Sequence, residues 1–344
     1  MSTTPRCSVI MPAHQAATLL PDTLQHLVGS SLPRASWELI VVDDASRDDT
    51  AAVAATFADR VLTLPAPARG PGGARNAGAR EARGEWLVFI DADVRVHPDT
   101  LERFMAAADA GDETLVAIFG SYDARPEARG LITEYRNLLH RFVHLQGAGD
   151  AETFWAGCGA VRRSAFEAVG GFDTARFPRP QIEDIELGYR LRDRGGRILL
   201  DPTIQGTHLK RWRFWQMVRT DLWDRGVPWM RLLLERRGRT EASLNAGAGE
   251  RFRVVLAAGA VLVAGLALVM RAPWLAATAL GMLLLLVAMN LGTYAWFARE
   301  RGIGFTLAVI PLHLLYYAQN AVAAAVGILQ HVGSAPSPRH GVVA

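Results

Sequence analysis

The segment Trp86-Leu87-Val88-Phe89-Ile90-Asp91-Ala92-Asp93 decides the fold, because it joins a buried strand to two carboxylates. Five successive apolar residues are typical of a strand covered on both faces, as in a parallel α/β sheet. Alternate side chains on extended backbone point the same way, so we expect Asp91 and Asp93 to share one face. Two carboxylates so close favour a divalent cation between them. The alternative is a loop of solvated aspartates that caps a helix.

Residues 7–120 alternate short apolar runs with helical patterns, which predicts a mostly parallel central sheet flanked by helices. The predicted strands are Ser8–Met11, Leu39–Val42, Val61–Leu64, Trp86–Ile90 and Val116–Gly120, and the predicted helices are about Ala17–Ser30, Thr50–Phe57 and Ala74–Ala82. Ligands in such folds bind beyond the carboxyl ends of the strands. We therefore expect the polar and glycine-rich segments that follow four of these strands to meet at one site.

Residues 121–210 are predicted to be the second half of the same domain, the half that would bind a second substrate, the acceptor. The domain then covers residues 1–210. Trp155 to Gly159 form a glycine-rich turn, and Glu183 and Asp184 fall in the first turn of a predicted helix. Acidic side chains in a first turn are also ordinary partners of the helix dipole. This pair alone therefore does not indicate a site.

Composition excludes several classes of protein. The chain has 344 residues and a net charge of only +3, which gives no indication of a nucleic-acid partner. Its two cysteines, Cys7 and Cys158, form no CxxC pair, so neither a disulfide framework nor a zinc site is predicted. Polar residues interrupt the N-terminal run, and we expect no signal peptide.

The C-terminal region is strongly apolar. The stretches Val254–Met270, Trp274–Phe297 and Ile303–Leu329 predict about three transmembrane helices over residues 253–330. Seven arginines from Arg225 to Arg253 mark the cytoplasmic side by the positive-inside rule, as do Arg299 and Arg301. We expect a multi-pass protein of the inner (cytoplasmic) membrane with its N-terminal domain in the cytoplasm. The alternative is a hairpin of the first two stretches that does not cross.

Residues 211–252 are predicted to form amphipathic membrane-interface helices and a basic linker. Tryptophans at helical spacing alternate there with arginines, and they are Trp212, Trp215, Trp223 and Trp229. A globular core could use the tryptophans but would leave the arginines unexplained. Residues 331–344, with Ser and Pro alternating near their start, are predicted to be a disordered tail.

Five segments in one order resemble the family 2 inverting glycosyltransferases, whose nucleotide-sugar-binding fold is called GT-A. They are Val9-Ile10-Met11-Pro12-Ala13, Val42-Asp43-Asp44-Ala45-Ser46-Arg47-Asp48, Ala74-Arg75-Asn76-Ala77-Gly78, Phe89-Ile90-Asp91-Ala92-Asp93 and Ile182-Glu183-Asp184-Ile185-Glu186-Leu187. The resemblance covers roughly Cys7 to Gly226. It implies a GT-A domain followed by membrane helices.

The resemblance implies that Asp43 or Asp44 binds the nucleoside, and that Pro12 and Gly157 also contact the substrate. The two aspartates could instead form a turn and cap a helix. Arg75 follows a glycine-rich loop and is expected to open a helix. The backbone N–H groups there, together with its guanidinium, would bind a phosphate or ribose-phosphate group.

The resemblance also implies which residues bind the metal ion and carry out catalysis. Asp93 is the expected direct ligand of Mg²⁺ or Mn²⁺, with Asp91 on the ribose or on a metal-bound water. His208 is a further candidate ligand, because a histidine occupies a similar place in some relatives, although a lone histidine is more often structural. Asp184 is the expected general base, and Glu183 is expected to position it or to contact the acceptor.

The expected activity is transfer of one sugar from a UDP- or GDP-linked donor to a membrane lipid, at a hydroxyl or a polyprenyl phosphate. A processive polysaccharide synthase of this family would carry Gln-x-x-Arg-Trp, but here Gln216-Met217-Val218-Arg219 precedes Thr220. A nucleotidyltransferase would carry a basic glycine-rich loop after the first strand, which Met11-Pro12-Ala13-His14 lacks. A membrane scaffold with a degenerate domain is the non-enzymatic alternative.

Overall fold

The computed structural model describes residues 4–236 and 247–333, which divide into two compact units. Unit 1 comprises residues 4–213, and unit 2 comprises residues 214–236 and 247–333. The predicted disordered tail lies outside the described residues from 334 onward. Residues 237–246 of the predicted basic linker also lie outside them.

The first half of unit 1 contains the predicted parallel strands. They are β1 (Cys7–Ala13), β2 (Trp37–Asp43), β3 (Arg60–Thr63) and β4 (Trp86–Ile90), in the order β3-β2-β1-β4. All three neighbouring pairs are parallel, with Ala13 opposite Asp43. The carboxyl ends of β1, β2 and β4 therefore lie at one edge, as predicted.

The second half of unit 1 extends the same sheet with mixed pairing. Its strands are β5 (Val94–Val96), β6 (Leu115–Tyr122), β7 (Gly149–Ala151), β8 (Cys158–Arg162) and β9 (Arg197–His208). The order continues β4-β8-β6-β9-β5, with β7 also on β9. Strand β8 is antiparallel to both β4 and β6. The sheet is therefore parallel in its first four strands and mixed beyond them, because β8, which was not predicted, lies between β4 and β6.

Helices cover both faces of this sheet. They are α1 (Leu20–Val28), α2 (Thr50–Ala54), α3 (Gly70–Glu81), α4 (Thr100–Ala110), α5 (Leu131–Gln146), α6 (Arg163–Ala168) and α7 (Glu183–Asp193). Val88 and Ile90 of β4 pack in a core with α1 and α4. Leu87 and Phe89 pack on the opposite face with α3, α6 and α7. This burial on both faces explains the continuous apolar run of β4.

Helix α3 begins at Gly70, so the segment predicted as a glycine-rich loop is its first turn. Arg75 lies in the second turn rather than at the helix start. Pro71 occupies an early position, where its missing N–H removes no intrahelical bond. The prediction was wrong here because glycine has a low intrinsic helix propensity, which packing overrides.

Unit 2 is helical throughout its described residues. Its elements are α8 (Phe214–Arg219), a π-helical segment (Thr220–Gly226), α9 (Val227–Glu235), α10 (Ala248–Met270), α11 (Pro273–Met289), α12 (Leu291–Arg301) and α13 (Ile303–Gly333). Helices α10 and α13 are long and apolar enough to cross a membrane. Helices α11 and α12 form a pair bent by 61°, which would make a third span if it is one broken span.

The bend lies inside the stretch predicted as one span, Trp274–Phe297. Asn290 separates α11 from α12, donates its amide to Leu286 O at 2.8 Å and accepts the Tyr317 hydroxyl at 2.9 Å. Arg253 donates to Met289 O at 3.0 Å. These side chains satisfy backbone carbonyl groups at the break, as a helix interrupted in an apolar environment requires. Composition alone did not reveal this interruption.

The tryptophans predicted to face a membrane interface divide between the units. Trp212 belongs to unit 1, is 8% exposed and donates its backbone N–H to Thr133 Oγ1 at 3.0 Å. That tryptophan is therefore structural. Trp215 and Trp223, in unit 2, are 77% and 48% exposed. Their interfacial role remains a prediction.

Candidate active site

Asp91, Ala92 and Asp93 form a turn after β4 rather than continuing the strand. The Val94 N–H closes this turn on Asp91 O at 3.0 Å, and the Asp91 N–H donates to Gly157 O at 3.1 Å. The prediction that both carboxylates share one face of an extended strand was therefore wrong. The turn gives the two side chains different partners, His208 for Asp93 and Arg75 for Asp91.

Asp93 faces His208. Its Oδ2 lies 3.6 Å from His208 Nε2, and the Leu209 N–H donates to Asp93 O at 2.9 Å. Strand β5 follows the turn directly and pairs Val94 with His208, which explains the approach. Burial alone would raise the Asp93 pKa, but the nearby His208 imidazole and the charge of Lys210 outweigh it and hold that pKa below its ordinary value.

Asp91 faces Arg75, which also contacts the other acidic pair. The Asp91 Oδ1 atom accepts Arg75 Nη2 at 2.6 Å, and Glu183 Oε1 lies 3.3 Å from Arg75 Nη1. Arg75 is 3% exposed and Glu183 is 5% exposed. The guanidinium thus lies between carboxylates from two turns that are far apart in sequence. It is engaged inside the protein rather than standing free at a helix start, where a phosphate contact was predicted.

Asp184 follows Glu183, the first residue of α7, and is part-exposed. The Ala156 N–H donates to its Oδ2 at 3.1 Å, and the Ile185 N–H donates to its Oδ1 at 2.8 Å. Backbone N–H groups therefore orient both carboxylate oxygens of Asp184. Burial, with a further contribution from the Glu183 charge, raises the Asp184 pKa to about 6. A carboxylate with this pKa can accept a proton near neutral pH.

The aspartates at the end of β2 make backbone contacts. Asp44 is 4% exposed and accepts the N–H groups of Arg69 and Gly70, both at 2.8 Å. It therefore binds the start of α3, the position predicted for a phosphate. Asp43 Oδ1 accepts the Ser46 N–H at 3.1 Å. Both residues thus have the turn and capping contacts that were the alternative to nucleoside binding.

Pro12 and Gly157 lie in the backbone around these side chains. Pro12 is the penultimate residue of β1 and pairs with Val42 of β2. Gly157 immediately precedes β8, and its carbonyl oxygen accepts the Asp91 N–H. Both lie at strand ends, and their contact with the substrate stays a prediction.

The aromatic ring that covers His208 was not predicted from the sequence. Tyr122 ends β6, and its ring stacks on His208 with centroids 4.2 Å apart and planes at 14°. A tyrosine at the end of an apolar strand carries no local signal of this contact. His208 itself is 5% exposed.

Within residues 4–236 and 247–333, no group of three or more His, Cys, Asp or Glu side chains is arranged to bind a metal ion. Asp93 and His208 supply two donors at one place. Magnesium sites in enzymes commonly use one or two carboxylates and complete the shell with substrate phosphates and water. The pair fits an ion shared with a phosphorylated substrate, but not a closed protein site.

The chain is similar in sequence to known glycosyltransferases. Residues 8–170 match the family model described as glycosyl transferase family 2. The probable glycosyltransferase YdaM of Bacillus subtilis is 28% identical over 245 residues, which cover 66% of this chain and 56% of that protein. Validoxylamine A glucosyltransferase of Streptomyces hygroscopicus subsp. jinggangensis is 30% identical over 222 residues, which cover 56% of this chain and 52% of that protein. The chain thus spans about half the length of these relatives.

A solved structure shows the same fold. The mannosyltransferase of Pyrobaculum calidifontis, in complex with GDP-Man and Mn²⁺, superposes with a TM-score of 0.56 and 22% identity. The match covers 95% of this chain and 88% of that one. Unit 1 therefore has the GT-A fold, and the predicted fold class is confirmed.

Proposed function

We propose that this chain, whose residues 8–170 match the model of glycosyl transferase family 2, transfers a single sugar from a nucleoside diphosphate donor to a membrane lipid, with inversion at the anomeric carbon. One observation supports the proposal above all. Arg75 contacts both Asp91 and Glu183, so the turn after β4 and the first turn of α7 meet around one guanidinium. This contact supports a single site in which Asp91 and Asp93 would bind the donor and Glu183 and Asp184 would face the acceptor.

The donor would be bound at the strand ends of the first half of unit 1. Both carboxylate oxygens of Asp44 already accept backbone N–H groups at the start of α3. We therefore assign nucleoside binding to Asp43, with Pro12 beside it at the end of β1. The donor would be a UDP- or GDP-linked sugar, and the structural relative was solved with GDP-Man.

Asp93 and His208 would hold Mg²⁺ or Mn²⁺ together with the donor's diphosphate. The relative of similar fold was solved with Mn²⁺. When bound, such an ion supplies Lewis-acid stabilisation of the departing diphosphate. Asp91, also predicted as a metal ligand, has Oδ1 on Arg75 and would contact the ribose instead. Glu183 and Arg75 would position Asp91 and Asp184 relative to each other.

Asp184 would be the general base. Its oxygens are oriented by the N–H groups of Ala156 and Ile185, and it is part-exposed, whereas Glu183 beside it is buried. The acceptor hydroxyl would give its proton to Asp184 while its oxygen attacks the anomeric carbon. The bond from that carbon to the diphosphate breaks on the opposite face, so the configuration inverts.

The membrane assignment rests on unit 2. Helices α10 and α13 can each span a bilayer by length and composition. The arginines that precede α10 favour a cytoplasmic location for the catalytic domain, in the inner membrane of the cell. A lipid acceptor dissolved in the bilayer that anchors the enzyme would be delivered to it by diffusion in two dimensions.

The test is a panel of UDP- and GDP-sugars incubated with the full-length protein, Mg²⁺ or Mn²⁺, and a membrane lipid extract. Product mass should increase by one hexose unit, and nucleoside diphosphate should be released. A ladder of masses would indicate a processive synthase, and a product carrying a nucleoside monophosphate would indicate a nucleotidyltransferase. Either result, or no release of nucleoside diphosphate, would contradict the proposal.

A further inference from the structure

A group of rings extends from His208 into unit 1. Tyr122 stacks on His208, and its ring also contacts His140 at 4.6 Å and Trp155 at 4.8 Å between centroids. His140 and Trp155 contact each other at 4.8 Å. His144 lies behind them, 4.0 Å from His140. We call Tyr122, His140 and Trp155 the aromatic shelf.

The far end of the aromatic shelf adjoins Asp184. Trp155 immediately precedes Ala156, whose N–H donates to Asp184 Oδ2 at 3.1 Å. The indole also lies against Gly157, where an added Cβ would approach Trp155 Cε2 to 2.6 Å. Only glycine leaves room for the ring in this position. The shelf therefore begins at the partner of Asp93 and ends beside the segment that orients Asp184.

The rings of the shelf are ordered but not enclosed. Tyr122, His140 and Trp155 are each part-exposed, whereas His144 behind them is 5% exposed. Aromatic side chains held by ring contacts offer apolar surface at a small cost in conformational entropy. Ligand sites commonly combine such surface with a few oriented polar groups, here the carboxylate of Asp184.

The charge beside Asp184 selects among acceptors. Asp91, Glu183 and Asp184 are three carboxylates, and Arg75, their shared counter-ion, is 3% exposed and bonded to two of them. A phosphate placed beside Asp184 would add like charge to this set. A neutral hydroxyl would add no charge there. It also needs a base to remove its proton, which an ionised phosphate does not.

We propose that the aromatic shelf is the acceptor subsite and that it takes a neutral sugar ring, such as the headgroup of a glycolipid, rather than a lipid phosphate. This inference rests on the proposed function and narrows its acceptor class. The C–H face of the ring packs on Trp155 and Tyr122. One ring hydroxyl loses its proton to Asp184 and bonds to the donor's anomeric carbon, and the nucleoside diphosphate leaves with the electron pair.

The test uses the full-length protein with a labelled donor and a membrane lipid extract as the acceptor probe. The glycosylated lipid is treated with mild acid, which releases a sugar from a phosphate but leaves a glycoside intact. The label should stay on the lipid. Release of the label by mild acid would overturn the inference and leave the proposed function standing. Failure to release nucleoside diphosphate from the donor would overturn both.

Substitution of Trp155 supplies a second, independent readout. Trp155→Ala should raise the extract concentration needed for half-maximal transfer about tenfold, with donor KM unchanged, and Trp155→Phe should restore most of the loss. The matched control is Trp86→Phe, because Trp86 begins β4 at the end opposite Asp91. It should change neither constant. An effect of Trp155→Ala on donor KM alone, or equal effects in the control, would overturn the assignment.

Discussion

Two acidic pairs lie on either side of Arg75 and have opposite electrostatic surroundings. In each pair one carboxylate contacts Arg75, Asp91 in the turn after β4 and Glu183 at the start of α7. The remaining members differ. Asp93 has a pKa below its ordinary value because His208 and Lys210 outweigh burial, whereas burial and Glu183 raise the pKa of Asp184 to about 6.

This difference is the basis for the separate roles that we propose for the two pairs. A carboxylate whose pKa is lowered stays anionic and suits a cation, whereas one whose pKa is raised can exchange a proton near neutral pH. Arg75 makes the arrangement possible because it neutralises part of the charge that four nearby carboxylates would otherwise accumulate. Substitutions that affect one pair and spare the other test this account.

The largest effect is expected from Asp184→Asn. The amide keeps the side-chain shape but cannot accept a proton from the acceptor, so kcat should fall roughly 10²–10⁴-fold. Donor binding, measured by calorimetry with Mn²⁺, should be unchanged. The matched control is Asp109→Asn, because Asp109 forms an exposed ion pair with Arg6. Turnover of Asp184→Asn close to that of the control would refute the assignment of the base.

Arg75→Met should destabilise unit 1 strongly. Removing one partner of a buried ion pair costs about 3–5 kcal/mol, because the other charge remains buried without compensation. The midpoint of thermal unfolding should fall by roughly 10 °C. Arg103→Met is the control, because Arg103 pairs with Asp99 on the surface, where such pairs contribute about 0–1 kcal/mol. Equal shifts of the unfolding midpoint in the two variants would show that the buried ion pairs of Arg75 do not stabilise unit 1 more than a surface pair does.

Asp93→Asn should weaken the dependence on divalent cations rather than proton transfer. The Mn²⁺ concentration for half-maximal turnover should rise at least tenfold, since even indirect contacts to a bound metal are commonly worth 10–100-fold. Asp91→Asn is the neighbouring comparison and should shift the Mn²⁺ requirement less, because Asp91 Oδ1 contacts Arg75. The reverse order would exchange the roles of these two aspartates.

Asp44→Ala and Asp43→Ala should separate helix capping from nucleoside binding. Asp44 caps α3 through two N–H groups, so its loss should cost about 1 kcal/mol of stability. Asp43→Ala should reduce nucleotide affinity with a smaller change in the unfolding midpoint. Weaker nucleotide binding in Asp44→Ala than in Asp43→Ala would reverse this assignment.

Local pattern in the sequence predicted much of the fold and the position of Asp91 directly after β4. The continuous apolar run of β4 and the residues after it were enough to predict a strand end with carboxylates, because burial on both faces leaves that pattern. The pairing of Arg75 with Glu183, 108 residues away, leaves no such pattern. It depends on how α3 and α7 pack, which neither segment encodes alone.

The remaining errors have similar causes. The antiparallel insertion of β8 depends on partners elsewhere in the sheet, and the break at Asn290 depends on Tyr317 from another helix. The turn at Asp91–Asp93 was predicted as extended backbone because the strand before it is regular. A long-range contact determined the conformation in the first two cases, whereas the turn is closed locally by the Val94 N–H on Asp91 O.

The dependence of kcat/KM on pH tests the central claim most directly. Asp184 must be ionised to accept the proton, so activity should fall as pH drops through the Asp184 pKa of about 6. The decline should approach tenfold per pH unit below that value, and Asp184→Asn should abolish it in the residual activity. A wild-type profile that stays flat from about pH 8 down to about pH 5 would contradict the account.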